Sequence, residues 1–381
     1  MAEINVGMVG YAFMGKAHSN AWRQAPHFFP GIPRPRLKAI CGRTRIAVEH
    51  AATELGWEST ETDWRRLVER KDIDVVDIVT PGDSHAEIAI AAAQAGKHVI
   101  CEKPLANSLA EARAMVAAAE TAGVRNMVMF NYRRVPAIAL AQRLIAEGRL
   151  GRIFHYRAQY LQDWIVDPKF PRVWRLDKTV AGSGALGDLG AHIADLALYL
   201  VGPVQRVFAV TATMIEERPL PDKRDTLAPV TVDDCAAFIG TIGQATAAFE
   251  VTRLAPGRKN YLAFEVNGSR GSLRFNLERL NELEFYDRTL PEPAQGWNNI
   301  MVTDGGHPYI SHWWPAGHVL GYEHTFINAV ADFLAAVAAK GEVHPSFAEG
   351  AMTNAVLDAV ERSAQSGTWE SVAAERRRSA S

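Results

Sequence analysis

Short apolar segments alternate with helical segments along the first third of the sequence. Strand-length apolar segments cover residues 4–9, 37–41, 74–80, 98–101 and 125–130, and helical segments cover 15–24, 47–55, 63–69, 85–96 and 108–123. Such alternation is typical of parallel βαβ units, whose strands are apolar on both faces because helices cover both sides of the sheet. Four prolines within residues 26–35 are expected to end the first helix at residue 24. The sequence therefore predicts an N-terminal Rossmann domain with a doubly wound parallel sheet.

A glycine-rich turn joins the first strand to the first helix. In VGYAFMGKAH, Gly10, Ala12 and Gly15 occupy the three positions of G-x-G-x-x-G, with Ala12 as the one departure. These positions permit a tight turn, close approach of backbone to a pyrophosphate, and close helix packing, with helix N–H groups facing the phosphates. The motif predicts a dinucleotide site at Gly10, Ala12, Phe13 and Met14, and the alternative is an ordinary βα turn.

The end of the second strand is where a Rossmann domain reads the ribose of its cofactor. An Asp or Glu there binds the 2′-hydroxyl of NAD, but this chain has Gly42 followed by Arg43. Arg43 could pair with a 2′-phosphate, stack on adenine or remain solvated. The residues alone therefore favour NADP slightly and leave NAD open.

The segment HVICEKPLA places Lys103 directly after a predicted strand. Pro104 cannot donate to a sheet ladder, so the strand ends there, at the carboxyl edge where open α/β sheets bind ligands. A lone lysine after a strand is usually a solvated loop residue. Lys103 is a candidate functional residue only if other motifs support it.

The second part of the chain has a different pattern. Alternating β segments cover 152–161, 204–215, 235–242, 244–254, 260–268 and 271–278, and helices are expected at 137–148, 322–340 and 348–365. This pattern predicts an α/β domain with an open, largely antiparallel sheet. We expect two domains, residues 1–130 and 131–381, with one sheet face covered by helices and the other by a second subunit.

One helical segment, GSGALGDLGAHIADLALYLVG, carries a polar stripe. Asp188, His192 and Asp195 recur at i, i+4 and i+7 and so share one face of a regular helix. Two interpretations are a hydrogen-bonded core histidine and a three-ligand metal site. No Cys or Glu joins the stripe at typical spacing, so we expect no metal.

The composition favours some classes of partner over others. The formal net charge of −2 gives no reason to expect nucleic acid or an anionic membrane, and no apolar run is long enough to span a bilayer. The three cysteines, Cys41, Cys101 and Cys235, lie far apart and suit reduced thiols. We expect a cytoplasmic protein with a small-molecule partner, and a solvated basic C-terminus in AAERRRSAS.

Three motifs in order along the chain resemble the Gfo/Idh/MocA family of nicotinamide-dependent sugar and polyol dehydrogenases. They are the glycine turn after the first strand, GKHVICEKP, and GALGDLGAHIADLALYL. The resemblance implies a Rossmann domain followed by an α/β domain whose open sheet forms the interface of a homodimer or homotetramer. It also implies a catalytic trio of Lys103, Asp188 and His192, with His192 as the base, Lys103 stabilising charge on the substrate oxygen, and Asp188 binding substrate or holding the imidazole.

The resemblance extends to further contacts. Cofactor contacts are implied at Thr80, Pro81, His85, Glu102, Lys103 and Asn131, in addition to Gly42 and Arg43. Tyr132 should face cofactor and substrate, while Arg133 and Arg134 make structural or substrate contacts. Loops with aromatic planes and hydrogen-bonding tips suit a carbohydrate face. Their candidate substrate residues are Gln162, Asp163, Trp164, Trp174, Arg175, His307 and His318, with Lys103, Asp188 and His192.

The expected activity is oxidation of a secondary hydroxyl of a sugar, anhydrosugar or polyol to a ketone, as at C3 of a pyranose. NAD is the expected cofactor. NADP should be tolerated because no acidic side chain is expected at the ribose-reading position to repel a 2′-phosphate. One alternative is a redox-neutral glycosidase or lyase that acts through a transient 3-keto sugar. Another is a non-catalytic cofactor-binding regulator, against which the presence of Lys103, Asp188 and His192 argues.

Overall fold

The computed structural model describes residues 3–375, which form two compact units. The first comprises residues 3–134 and Gly321–Ala351, and the second comprises Val135–Leu320 and Met352–Glu375. The division into domains 1–130 and 131–381 remains a prediction; in this structure, the segment Gly321–Ala351 packs within the first unit. The basic stretch 376–381 lies outside the described residues.

Strands and helices follow the chain in a regular order. The strands are β1 Glu3–Val9, β2 Arg34–Cys41, β3 Thr60–Glu61, β4 Val75–Ile78, β5 His98–Cys101, β6 Asn126–Val128, β7 Ile153–Leu161, β8 Val204–Ala212, β9 Glu217–Pro219, β10 Leu227–Pro229, β11 Cys235–Ile242, β12 Ala245–Thr252, β13 Tyr261–Gly268, β14 Gly271–Asn276, β15 Glu282–Asp287, β16 Trp297–Met301 and β17 Glu370–Ser371. The helices are α1 Phe13–Phe28, α2 Arg45–Leu55, α3 Trp64–Glu69, α4 His85–Gln94, α5 Leu109–Ala122, α6 Pro136–Ala146, α7 Lys178–Ala181, α8 Ala191–Leu200, α9 Tyr322–Ala339 and α10 Phe347–Ser366.

The first unit contains a six-stranded parallel sheet. Its strand order is β3-β2-β1-β4-β5-β6. Strands β2 and β3 lie on one side of β1, and the chain then crosses over so that β4, β5 and β6 lie on the other side. All four residues of β4 are buried, as expected of a strand covered by helices on both faces. The predicted doubly wound Rossmann sheet is confirmed.

Helix α1 is longer than the prolines led us to expect. It continues to Phe28 with Pro26 inside its last turn, so the predicted end at residue 24 is wrong. Pro26 forfeits one backbone hydrogen bond, but the turn still closes because the N–H of Phe29 donates to the carbonyl of Ala25 at 2.9 Å. Burial also favours the helix, since Trp22 is fully buried edge-on against Phe333 of α9.

The second unit contains a nine-stranded sheet of order β16-β15-β14-β13-β7-β12-β11-β8-β17. Only the β7–β12 pair is parallel among its described neighbours, so the predicted open, largely antiparallel sheet is confirmed. Strands β15 and β16 were not anticipated in the sequence pattern. The two-stranded β9–β10 ribbon lies apart from this sheet.

The two faces of this sheet have different chemistry. On the helix-covered face, the hydroxyl of Tyr156 donates to the carbonyl of Ile193 in α8 at 3.3 Å. The ring of Phe249 lies 5.6 Å from that of Tyr156 and stacks on Phe238 at 4.3 Å between centroids. The opposite face exposes the ion pair of Arg157 and Glu265 beside an apolar area that includes Val210 and Ile239.

Among residues 3–375, no helix is both long and apolar enough to cross a membrane.

The aromatic core of the sheet gives a stability prediction. Phe249→Ala removes a buried ring that packs between two others, and we expect it to cost about 3 to 5 kcal/mol of unfolding free energy because the cavity cannot fully collapse. The measurement is the thermal midpoint of unfolding. Phe154→Ala is the matched control, since Phe154 is 45% exposed and its loss should leave the midpoint nearly unchanged. Equal midpoints for the two variants would contradict the packing argument.

Candidate active site

The glycine turn after β1 forms a bare backbone cradle. Gly10 has φ +110°, and a Cβ there would lie 2.8 Å from the carbonyl oxygen of Val79. A Cβ on Gly15 would lie 3.0 Å from the carbonyl oxygen of Gly10. Helix α1 starts at Phe13, directly after Ala12, so its N-terminal N–H groups open onto this turn. The cradle fits a pyrophosphate, as a dinucleotide site requires.

Tyr11 fills the space beside the ribose-reading position. A Cβ on Gly42 would lie only 2.0 Å from Cε1 of Tyr11, so the tyrosine ring occupies the place of a side chain at position 42. Arg43 is exposed. Sequence reasoning missed Tyr11, although it lies inside the glycine motif, because the motif fixes only the small residues around it.

His85 bridges the turn after β4 and the turn after β5 at the edge of the sheet. Its Nε2 lies 2.9 Å from the carbonyl oxygen of Thr80, and its Nδ1 lies 3.0 Å from that of Pro104. The hydroxyl of Ser84 also donates to Oγ1 of Thr80, and Pro81 precedes this short turn. His85 is buried and faces backbone on both sides. Its visible role is to hold the turn after β4 against the turn that carries Lys103.

Glu102 takes part in a buried polar network. Its Oε1 lies 3.0 Å from Nε2 of His18, and Nδ1 of His18 lies 3.0 Å from both carboxylate oxygens of Asp77. The indole N–H of Trp22 donates to Asp77 at 2.7 Å. Burial lowers the pKa of His18, but the two carboxylates outweigh it and raise that pKa to about 10.

The same network reaches the backbone of Lys103. The second oxygen of Glu102 accepts the Lys103 backbone N–H at 3.0 Å. Burial raises the pKa of Glu102, but hydrogen bonding and charge from His18, with charge from Lys103, lower it overall. The two carboxylate oxygens of Glu102 therefore bond His18 and the backbone of the Lys103 turn. The sequence motif alone did not reveal this role.

Asn131 and Tyr132 lie in a short turn that packs on α9. The side-chain amide of Asn131 donates to Oγ1 of Thr325 at 2.8 Å. The ring of Tyr132 meets that of Tyr322 edge-on at 6.4 Å, and Tyr322 also stacks on Phe13 at 6.4 Å. Phe13 is 66% exposed, so an aromatic group borders the glycine turn.

The two arginines that follow make structural contacts. Arg133 pairs with Glu349 at 2.7 Å and Arg134 pairs with Asp332 at 3.1 Å, both within the first unit. Both arginines are buried. Of the two roles considered for them, these ion pairs favour the structural one.

Asp188 lies in a wide turn rather than in a regular helix. Residues Leu186–Gly190 form a π-helical turn in which the N–H of Ala191 donates to the carbonyl of Leu186, five residues back. The expectation of one continuous α-helix is therefore wrong, because the extra residue shifts Asp188 from the position that α-helical spacing gives it. Single π turns recur at functional sites.

Asp233 holds the start of this turn. Its carboxylate accepts the backbone N–H of Gly184 at 2.6 Å and that of Leu186 at 2.7 Å. A Cβ at Gly184 would lie 1.7 Å from the carbonyl oxygen of Asp233, so glycine is required at this close approach. Burial raises the pKa of Asp233, and the two backbone bonds oppose that rise.

A buried arginine holds Asp188. Nη2 of Arg253 donates to Asp188 at 3.0 Å and to the carbonyl of Gly184 at 3.0 Å. The Arg253 side chain is 1% exposed and that of Asp188 is 26% exposed. A buried guanidinium at this distance favours the ionised carboxylate, so Asp188 is suited to accept hydrogen bonds. Arg253 was missed in the sequence, where it is an ordinary charge at the end of a strand segment.

A chain of side-chain contacts connects Asp188 to His192. The ring of His192 meets Tyr160 edge-on at 5.7 Å, and the guanidinium of Arg253 lies 5.4 Å over the ring of Trp164. Intervening hydrogen bonds run from Tyr160 to Asn260 at 2.7 Å, from Gln162 to Asn260 at 2.9 Å, and from Trp164 to Gln162 at 2.9 Å. We call this set the polar circuit; its members are Asp188, His192, Tyr160, Asn260, Gln162, Trp164 and Arg253.

Other predicted substrate residues lie near the polar circuit or apart from it. The carbonyl of Arg175 accepts from Arg253 at 3.4 Å, and the guanidinium of Arg175 lies 4.4 Å over Trp174, which is 39% exposed. Asp163 instead pairs with Lys259 at 2.7 Å, and hydrogen bonding to that lysine lowers the pKa of Asp163.

The two loop histidines make local contacts. Nδ1 of His307 accepts the N–H of Asp304 at 3.3 Å, and Nδ1 of His318 lies 2.8 Å from the carbonyl oxygen of Pro315. These contacts stay within the loop that carries both residues. Within residues 3–375, no group of three or more His, Cys, Asp or Glu is arranged to hold a metal ion.

Comparison with known proteins agrees with this arrangement. Residues 4–130 match the oxidoreductase family with an NAD-binding Rossmann fold, and residues 138–274 match the GFO/IDH/MocA C-terminal domain. Levoglucosan dehydrogenase of Pseudarthrobacter phenanthrenivorans is 44% identical over 98% of this chain and 99% of its own. D-apiose dehydrogenase of Paraburkholderia graminis is 28% identical over 94% of this chain and 87% of its own.

Solved structures extend the likeness to three dimensions. An oxidoreductase domain protein from Kribbella flavida has TM-score 0.95 and 53% identity, covering 98% of this chain and 100% of that one. Levoglucosan dehydrogenase in complex with NADH and levoglucosan has TM-score 0.95 and 44% identity, with the same coverage. The chain therefore belongs to the Gfo/Idh/MocA oxidoreductase family and is an NAD-dependent dehydrogenase.

Proposed function

We propose that this enzyme oxidises a secondary hydroxyl of a pyranose sugar or anhydrosugar to a ketone, with C3 as the reacting carbon. The observation that carries the proposal is the polar circuit, in which Asp188, paired with Arg253, and the imidazole of His192 are joined to amide and indole groups suited to sugar hydroxyls and ring faces. The identity to levoglucosan dehydrogenase over nearly the whole chain supports the substrate class.

Each member of the catalytic trio has a role in this reaction. Bound NAD supplies the hydride acceptor. His192 takes the proton from the reacting hydroxyl, the role of a general base. The ammonium of Lys103 stabilises negative charge that develops on the same oxygen. Asp188, paired with Arg253, accepts a hydrogen bond from a substrate hydroxyl or from His192.

Substrate recognition is assigned to the residues around Asp188. Gln162 and Trp164 are fixed by hydrogen bonds within the polar circuit, so they present a preorganised surface. Trp174 adds an exposed aromatic plane. Asp163, His307 and His318 have described contacts within their own loops or with Lys259, and their substrate role remains a prediction.

The exposed face of the second unit supports a homo-oligomer. Arg157 pairs with Glu265 at 3.3 Å on this face, and an apolar area lies beside these charges. Val210 and Ile239 in that area are 61% and 49% exposed. A broad sheet face of mixed character is suited to a second copy of the chain, so we assign it as the interface of a dimer or tetramer.

Turnover tests the catalytic assignment. Lys103→Ala and His192→Ala should each lower kcat by about a thousandfold or more, because both groups act on the reacting oxygen, while the Kd for NADH changes by less than about threefold. Rates are followed by NADH formation over a panel of sugars, anhydrosugars, inositols and glycosides. Lys71→Ala and His50→Ala are matched controls that should keep the parent rate, because both residues are exposed in the first unit. Near-parent rates in either trio variant would refute the assignment.

The same assay separates the alternative chemistry. A redox-neutral glycosidase or lyase would release an aglycone or an unsaturated sugar without accumulating NADH. Accumulation of ketone and NADH in equal amounts supports the dehydrogenase, and release of aglycone without NADH would overturn it.

The contact between Tyr11 and Gly42 gives a cofactor prediction. Gly42→Ala forces the Tyr11 ring to move, since the new Cβ would lie 2.0 Å from Cε1, and we expect the Kd for NADH to rise about tenfold, roughly 1.4 kcal/mol. Removing the ring should remove the conflict. In a Tyr11→Ala background, Gly42→Ala should therefore have little further effect on NADH binding, as measured by calorimetry. Additive losses in the double variant would show that the contact is not the cause.

Sedimentation tests the interface. The parent should sediment as a dimer or tetramer of the 41.8 kDa chain. Ile239→Asp buries a charge in the proposed interface and should shift the population toward monomer. Ile46→Asp is the matched control, because Ile46 is 81% exposed in the other unit and lies outside the proposed interface. A monomeric parent would rule out the assembly.

A further inference from the structure

His18 connects helix α1 to two strands of the parallel sheet through its two ring nitrogens. Nδ1 faces Asp77 of β4 and Nε2 faces Glu102, the residue that follows β5, each at 3.0 Å. An ionised carboxylate accepts hydrogen bonds and has none to donate, so both ring nitrogens must donate. The geometry therefore describes an imidazolium bound between two carboxylates.

The charges around this imidazolium are few and defined. His18 and Asp77 are fully buried, and the Glu102 side chain is 7% exposed. On the other sides, His18 meets the ring of Phe326 from α9 at 5.5 Å, and Trp22 of its own helix bonds Asp77. One buried cation thus serves two buried carboxylates. The positive charge of the Lys103 ammonium also acts on Glu102 and lowers the pKa of its carboxyl group.

The network ends at the backbone of the proposed catalytic lysine. One oxygen of Glu102 is held by His18 and the other accepts the N–H of Lys103 at 3.0 Å. The direction in which the Lys103 side chain leaves the turn depends on its backbone. Because His18 holds one oxygen of Glu102 in place, the other oxygen holds the position of the Lys103 backbone N–H that it accepts.

We propose that His18 is a positioning residue that sets the placement and electrostatic environment of Lys103 through Glu102. The proposal rests on the proposed catalytic role of Lys103. Without the imidazolium, Glu102 and Asp77 would be two buried carboxylates with no cation between them, and one would take up a proton or move. Either response changes the bond to the Lys103 backbone and the charge beside its ammonium.

The test uses two variants and a matched control. His18→Gln keeps a polar side chain of similar length and removes the charge. Glu102→Gln keeps an acceptor for the Lys103 N–H while removing the charge that pairs with His18. Ser19→Ala is the control, because Ser19 is also fully buried on α1 but bonds the carbonyl of Gly15 and the indole of Trp57 instead.

The first readout does not depend on any substrate. Reductive ¹³C-methylation of the lysines gives each one an NMR resonance, and the Lys103→Arg variant identifies that of Lys103. The Lys103 resonance should shift by more than its linewidth in His18→Gln and in Glu102→Gln, and should stay in place in Ser19→Ala. An unmoved resonance in both variants would overturn the proposal, and a variant that fails to fold leaves the other to decide.

The second readout is turnover with the best sugar of the panel. His18→Gln should lower kcat about 10- to 100-fold with the Kd for NADH changed less than about threefold, as expected for a misplaced catalytic group. In a Lys103→Ala background, His18→Gln should lower the residual rate by less than about twofold, because the two residues act as a unit. Equal losses in both backgrounds would refute the positioning role. A parent that oxidises no sugar would refute the proposed function alone, since the NMR readout would still stand.

Discussion

A buried imidazolium between two carboxylates is the interaction on which the first unit depends most directly. Burying Asp77 and Glu102 without a cation would cost several kcal/mol for each charge, and His18 offsets this cost for both. Because the three groups come from α1, β4 and the turn after β5, the network also fixes these elements relative to each other. The turn of Lys103 is bonded to this charge cluster through Glu102, whereas the glycine cradle is shaped by close backbone contacts at Gly10 and Gly15.

The second unit uses the same physical solution with different residues. A buried guanidinium, that of Arg253, lies between a carboxylate and a backbone carbonyl, and Asp233 satisfies the N–H groups at the start of the π turn. A π turn is less favourable than a regular helical turn, so it persists where surrounding contacts over-determine it. Gly184 permits the closest of these contacts. In each unit one residue proposed for catalysis is therefore linked to a buried cation, Lys103 to His18 through Glu102 and Asp188 to Arg253 directly.

Sequence reasoning succeeded where the information is local. Alternating apolar segments determine a parallel sheet, and the spacing of Gly10 and Gly15 determines a phosphate-binding turn, so both were predicted from neighbouring residues alone. His18 and Arg253 were not, because each lies among other polar residues without a distinguishing pattern, and its role depends on partners 59 and 65 positions away in the chain. The π turn was missed for a related reason, since a regular helix and a wide turn share nearly the same pattern over five residues. Similarly, Pro26 suggested a helix end that tertiary burial of Trp22 overrides.

The cofactor illustrates how a missing residue can be misread. Gly42 in place of an acidic residue suggested room for a 2′-phosphate, yet the family and its NADH-bound relatives identify NAD. The structure gives the glycine a different cause, because the ring of Tyr11 occupies the space that any side chain at position 42 would need. A side chain at position 42 would thus require the Tyr11 ring to move, whatever the phosphate state of the ribose. The absence of a carboxylate at this position consequently carries little information about the choice between NAD and NADP, and the specificity must come from groups that contact the ribose directly.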